Sequence, residues 1–321
     1  MKPAQSPRAF PASWGMPVFG VALGLAILAL GGRSTALVMT EIFIMALFAS
    51  SLNLIITYGG LVSFGHAAFF GLGAYGFTLA VTKLGVPPVP ALVFGPLLAA
   101  LGGALFGALC VRLNRIYFAM LTLACAQITY TVLFQWDSVT GGDNGITGFM
   151  APRFGLDERV FGALVLAVLA AGLAIMWRIV HAPLGVAIRA VGLDAHRASA
   201  LGLNPRREQL TVFVAAAALA GAAGACYSAF YANVFPDYAD LGLTLDALVM
   251  VVIGGIGSFP AGVLGAIAYV MLKHYLPLIT MHWQLIVGIA VAVVILFMPQ
   301  GLSGGLERLR AFGRNRQGAT P

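Results

Sequence analysis

The sequence predicts an all-α polytopic membrane protein with about ten transmembrane helices, eight at the fewest. Three observations predict it. Apolar residues make up 60% of the 321 and charged residues only 9%, against roughly 45–50% and about 25% in soluble chains. The apolar residues fall in runs near the length that crosses a bilayer, about 17–25 residues. Glycine and proline pairs, such as Gly59-Gly60, Pro87-Pro88 and Gly141-Gly142, punctuate those runs. Only lipid could cover so much apolar surface, and in lipid the helix satisfies its own backbone polar groups.

Taken in order, the predicted spans are 17–31, 38–57, 66–82, 89–110, 117–136, 160–180, 211–231, 243–258, 261–279 and 283–299. The first follows a basic, proline-rich start and reads as a retained helix, not a cleaved signal, because later spans make such a signal unnecessary. Spans 17–31, 66–82 and 243–258 are short enough to be tilted, partial or re-entrant. Residues 1–321 form a single membrane domain, with a hydrophilic segment at 181–210 and a basic tail at 302–321. Cys110, Cys125 and Cys226 lie far apart in apolar stretches and read as small packing residues, not a disulfide framework.

Charge predicts the orientation. With ten spans and both termini cytoplasmic, thirteen of the 18 Lys and Arg residues face the cytoplasm. Arg33, Lys83, Arg153, Arg159 and Lys273 fall on the other side. Positive loops stay inside, so this orientation is favoured, with a bacterial inner membrane as the setting. The net charge of +7 is then arginine that flanks helices and meets anionic lipid, not a nucleic-acid surface.

The hydrophilic segment reads HAPLGVAIRAVGLDAHRASALGLNPRREQL from His181 to Leu210. Leu184, Ile188, Val191, Ala195, Ala198 and Leu201 recur at helical spacing, while Arg189, Asp194, His196 and Arg197 take other faces. Gly192 and Gly202 are expected to break or cap the helix. Two readings stand: a linker resting on headgroups, or a docking element for a cytoplasmic partner.

Chemistry is sparse elsewhere. The only lysines are Lys2, Lys83 and Lys273, none after glycine, so the chain carries no P-loop and any ATP site belongs to another polypeptide. His66, His181, His196, His274 and His282 show no metal spacing, and no cofactor is implied. Glu41, Asp246, Lys273 and His274 lie near span ends, where snorkelling explains them. Asn53, His66, Gln127 and Gln135 lie in or near spans, where interhelical hydrogen bonds are the plainer reading and solute contact the other. So little mid-span charge argues against proton coupling. The external run DSVTGGDNGITG, Asp137–Gly148, is rich in turn formers and reads equally as a solvated connection or a partner contact. Gly59-Gly60-Leu61-Val62-Ser63-Phe64 is echoed by Gly254-Gly255-Ile256-Gly257-Ser258-Phe259, the kind of glycine-broken repeat that transporters place near the substrate path.

Several ordered motifs resemble one family. They are SLNLIITYGGLVSFGHAAFFGLGAY from Ser51, RLNRIYFAMLTLACAQI from Arg112, WDSVTGGDNGITG from Trp136, PLGVAIRAVGLDAHRASALGLNPRREQL from Pro183 and MVVIGGIGSFPAGVLGA from Met250. Together they resemble branched-chain amino-acid ABC-importer permeases of the LivM type, from about Ala46 to Gly301. The resemblance implies the ABC-importer permease fold and alternating access. It implies as partners a second homologous permease, two cytoplasmic ABC ATPases and a periplasmic solute-binding protein. It maps an ATPase-coupling segment onto 185–202, with Gly185, Arg189, Asp194, Arg197, Ala198 and Gly202 as its residues. It puts Gly59, Gly60, Gly254, Gly255 and Gly257 near the path, and the polar Asn53, His66 and Gln127 are the residues expected to border it with them. Two positions depart from the pattern: Ala195-His196 stand where glutamate is often seen, and Gln127 where relatives often have glutamate. Relatives also carry urea, short amides or small organic acids. A stand-alone secondary transporter is the alternative outside the family.

Overall fold

A computed structural model describes residues 24–26, 28, 30–113, 115–150, 152–282, 284–289, 292 and 301–304. Its main helices are α1 (Arg33–Asn53), α2 (His66–Thr82), α3 (Phe94–Cys110), α4 (Arg115–Gln135), α5 (Glu158–His181), α6 (Pro183–Leu193), α7 (Ala195–Ala200), α8 (Pro205–Tyr231), α9 (Leu241–Gly254) and α10 (Ala261–Tyr275). Six helical stretches among the described residues are long and apolar enough to cross a membrane: Arg33–Gly59, Pro88–Cys110, Ile116–Gln135, Glu158–His181, Pro205–Tyr231 and Ala261–Leu278. The expected spans 17–31 and 283–299 and the tail 302–321 lie largely outside the described residues.

The 27-residue α8 is the axis of the bundle, flanked by α1, α2 and α3. Lipid tails are as apolar as leucine, so helices associate there by close packing of small residues. α3 carries that pattern in Gly95, Ala99, Gly103 and Gly107, all buried. Antiparallel to it, α8 presents Ala225, Gly221, Ala217 and Phe213: a Cβ on Gly95 would meet Ala225, one on Gly103 would meet Ala217, and one on Gly107 would meet Phe213. The opposite face of α3, Leu97, Leu101, Leu105 and Leu109, is exposed at the same four-residue spacing. α1 packs against α5 and α10. All three cysteines are buried, as expected of packing residues.

The two ends of the bundle differ. At the Arg33 end, Arg33 pairs with Glu158 at 2.8 Å, and the Arg159 guanidinium donates to the Gly31 carbonyl at 3.0 Å. There the run 137–148 is not a free connection. Ile146–Thr147 pairs antiparallel with Asn233–Val234, and Thr140 Oγ1 donates to the Leu133 and Trp136 carbonyls at 2.7 Å. At the Gly60 end sit α6, α7 and the start of α8, where the Asn204 side chain accepts from the Arg207 amide at 3.4 Å.

Three expectations are corrected. The span expected at 38–57 begins at Arg33 and ends in a π-helical turn, Leu54–Gly59. The span expected at 243–258 is helical only to Gly254, because Gly255 and Gly257 take φ values of 103° and 99° that end the helix. At 14 residues α9 is about 21 Å long, short of the ~30 Å hydrocarbon core, and it returns as a hairpin into α10. Asp246, expected to snorkel, is paired: Tyr269 Oη donates to it at 2.6 Å and Lys273 Nζ lies at 3.4 Å.

Candidate functional site

The two glycine breaks echoed in the sequence meet in space. α1 does not stop at Asn53 but widens into the π-turn, where the Gly60 amide reaches back five residues to the Ile55 carbonyl. Such wide turns inside helices concentrate at functional sites. Gly60 closes the turn at φ 65°, a left-handed conformation that glycine adopts without steric cost. From this turn Asn53 Nδ2 donates to the Ser258 carbonyl at 2.9 Å. Thr57 Oγ1 donates to Asn53 Oδ1 at 2.7 Å and accepts the Gly257 amide at 3.2 Å. Asn53, Gly59, Gly60, Gly254, Gly255 and Gly257 therefore belong to one locality.

His66 is the first residue of α2 and packs against α1 about one turn before Asn53. It is fully buried, stacked on Phe48 with ring centroids 5.4 Å apart, and its Nε2 sits 2.8 Å from Ser51 Oγ. The Ser51 hydroxyl already donates to the Phe48 carbonyl at 2.7 Å. His66 must then be the donor through Nε2, which leaves Nδ1 as a buried acceptor with no hydrogen bond. Gln127 is elsewhere. It is exposed on α4, alongside Met120, Ile128 and Val132, and shows no interhelical hydrogen bond among the described residues.

The 181–210 segment is two short helices at a corner. Pro183 opens α6 at the first helical position. α6 ends when Asp194 turns extended and caps α7, its carboxylate accepting from the His196 and Arg197 amides at 3.0 and 3.1 Å. Gly202 turns the chain at φ 85° with open space around it. Gly185 lies against the Val180 and Ile179 carbonyls, where a Cβ would come within 2.5 Å of both. Arg189 is turned inward. Its Nε donates to the Gly185 carbonyl at 3.1 Å and its Nη2 to the Val180 carbonyl at 3.2 Å, and its guanidinium lies 5.9 Å from the Tyr58 ring centre. Ala198 is buried, and Arg197 is exposed, 3.0 Å from the Asp194 carboxylate.

The apolar stripe expected along the segment is therefore cut at Asp194. Ile188, Val191 and Ala198 are buried, whereas Ala195 and Leu201 are not, because the cap starts α7 in a new register. Sequence reasoning missed what this leaves outward: Val186, Leu193 and Leu201 are 60%, 58% and 81% exposed. The signal lay in the Asx cap, which a single helical wheel drawn across the segment ignores.

The cap also predicts a pH response. The Arg197 amide, with the Arg197 charge and the His196 amide behind it, holds the Asp194 carboxyl below its ordinary value. A depressed carboxyl stabilises the fold above its unfolded value and loses that contribution as pH falls through the folded one. Protection of the His196 and Arg197 amides, corrected for intrinsic exchange, should hold through the ordinary aspartate range near pH ~4 and vanish only below it. In Asp194→Ala it should be lost at every pH.

Buried small-residue packing, and two broken helices that meet beside a folded elbow at one end of the bundle, fit an all-α membrane permease. The chain belongs to the family described as the branched-chain amino acid transport system permease component, whose profile matches residues 34–297. It is 31% identical over 299 residues to the high-affinity branched-chain amino acid transport system permease protein LivM of Escherichia coli (strain K12), covering 84% of this chain and 70% of that one. It is 29% identical to LivM of Salmonella typhimurium over the same shares. A shorter match to LivH of Escherichia coli, 33% identical over 132 residues, covers 40% of this chain and 42% of LivH. No solved structure matches.

Proposed function

We propose that this chain is the membrane-spanning permease subunit of an ATP-driven importer that carries branched-chain amino acids across the bacterial inner membrane by alternating access. A second, homologous permease completes the pathway, two cytoplasmic ABC ATPases supply the energy, and a periplasmic binding protein delivers the solute. The observation that carries this reading is the outward apolar edge Val186, Leu193 and Leu201 on an elbow anchored to the break in α1. Short helices with a few apolar anchors suit insertion into a partner's groove. Arg178, Arg189, Arg197, Arg206 and Arg207 cluster at this end in sequence order, which supports a cytoplasmic Gly60 end and cytoplasmic termini. The cargo follows the names of the LivM relatives, and the LivH likeness supports a related permease as partner.

ATP binding closes the ATPase pair, and the elbow passes that motion to the helices. Gly185, Arg189, Asp194 and Ala198 shape the elbow, while Arg197 and the turn at Gly202 face the ATPase. Asn53, Gly59, Gly60, His66, Gln127, Gly254, Gly255 and Gly257 border the route, with Gln127 reaching it from the exposed face of α4. The test is affinity purification of the tagged chain from its own membranes in mild detergent, followed by mass spectrometry. A second permease and P-loop ATPases are expected. Recovery of the chain alone, where other membrane complexes survive, would overturn the reading.

A further inference from the structure

We propose that Thr57 is a positioning residue that joins the two glycine breaks into one moving unit driven from α6. This rests on the importer reading. The first link is backbone on backbone. A Cβ on Gly60 would come within 2.8 Å of the Gly192 carbonyl oxygen, and one on Gly192 within 2.9 Å of the Tyr58 carbonyl oxygen. With no side chain between them, α6 and the end of the π-turn are in direct contact, so α6 cannot advance without displacing the turn. Arg189 adds a second hold through the Tyr58 ring.

The second link is Thr57. Its hydroxyl has one proton, given to Asn53 Oδ1, and its lone pairs receive the Gly257 amide. That bond fixes Asn53 so that Nδ2 faces the Ser258 carbonyl. One side chain therefore orients both connections between the π-turn and the 255–259 loop. Gly257 sits at φ 99° and follows the end of α9, so a shift there moves the α9–α10 hairpin.

The third observation is room to move. A void too narrow for water runs beside the turn, lined by Ser50, Leu54 and Tyr58 of α1, Met176 of α5 and Phe259. Ser50 Oγ is buried there with no hydrogen bond. Closing a π-turn to α-geometry rotates the following residues by about 100°, and the under-packed wall lies where Tyr58 and Leu54 would be redirected.

The test is hydrogen–deuterium exchange on the complex purified with its ATPases, nucleotide-free and trapped with Mg·ATP and vanadate. In the wild type, trapping should change exchange in peptides from both 183–193 and 255–259. In Thr57→Val, which keeps shape and loses both bonds, the 183–193 change should persist and the 255–259 change should disappear. Exchange at the Gly257 amide should rise about tenfold, and Thr57→Ser should restore the wild-type pattern. Equal responses at 255–259 in Thr57→Val and wild type would overturn the proposal. So would loss of both responses together with the complex, since that marks a purely structural residue. A wild-type chain that recruits no ATPase overturns the importer reading and this proposal with it. An ATPase-bearing wild type whose 255–259 region ignores trapping overturns the relay alone.

Discussion

Replacing Gly221 with leucine is expected to leave no folded bundle. Three backbones meet at this residue. A Cβ on Gly221 would lie 2.3 Å from the Ala99 Cβ and 2.9 Å from the Gly95 carbonyl oxygen, while one on Gly73 would meet the Gly221 carbonyl oxygen at 2.2 Å. Overpacking a core typically costs about 1–3 kcal/mol when side chains can repack. Here the neighbours of a Gly221 Cβ are all on α3 and include the Gly95 carbonyl, main-chain atoms that cannot move without parting α3 from α8, so a loss above about 3 kcal/mol is expected. Fluorescence-detected gel filtration in mild detergent should show Gly221→Leu aggregated or degraded. Gly32→Leu should run as the wild type, since nothing lies within 4 Å of a Cβ at Gly32. A monodisperse Gly221→Leu with wild-type thermal stability would contradict the three-helix crossing.

That crossing shows what the sequence made legible. Apolar run length placed α4 and α5 to within two residues at each end, and α8 to its end at Tyr231 but not to its start at Pro205, whereas the stripe Gly95, Ala99, Gly103 and Gly107 stands in the sequence at four-residue spacing without having been singled out. What spacing cannot give is the partner. Antiparallel pairing of that stripe with Phe213, Ala217, Gly221 and Ala225 depends on which helices neighbour each other, and no local periodicity encodes it. The glycine echo at 59–64 and 254–259 pointed to two breaks. Their meeting depends on Asn53 and Thr57, two polar residues 205 and 200 positions from their partners. Thr57 drew no notice because a threonine in an apolar helix usually bonds its own backbone, as Thr40 does to the Ala36 carbonyl. The coupling residues were legible as a group but not by task. Arg189 looked like a charge on an outer face of the wheel and proved to be an inward brace, while Val186 and Leu193, not singled out in the sequence, form the exposed edge of the elbow. The cap at Asp194 starts α7 in a new register, and caps change register without changing composition.

Arg189→Glu is expected to abolish uptake in the proposed importer while the chain still inserts and folds. The arginine donates to two carbonyl oxygens, those of Val180 and Gly185, and lies over the Tyr58 ring. A carboxylate in its place would meet two carbonyl oxygens and the negative face of an aromatic ring with no donor to offer. It would leave or pull the end of α6 away from α5, carrying the Gly192 contact off Gly60. Because the brace is half-buried at the bundle end and not in the helix crossings, insertion and gel-filtration behaviour should stay near wild type. Leucine uptake into proteoliposomes of the whole complex should fall by at least about tenfold, the effect of losing ~1.4 kcal/mol at a charged hydrogen-bonding site. Arg189→Lys separates charge from shape. Lysine keeps the cation but lacks the fork that spans two acceptors, so intermediate uptake is expected. If Arg189→Glu transports normally and retains its ATPases, the elbow does not work through this brace. If it fails to insert, the residue belongs to folding, and the link from α6 to the π-turn would rest on Gly192 and Gly60 alone.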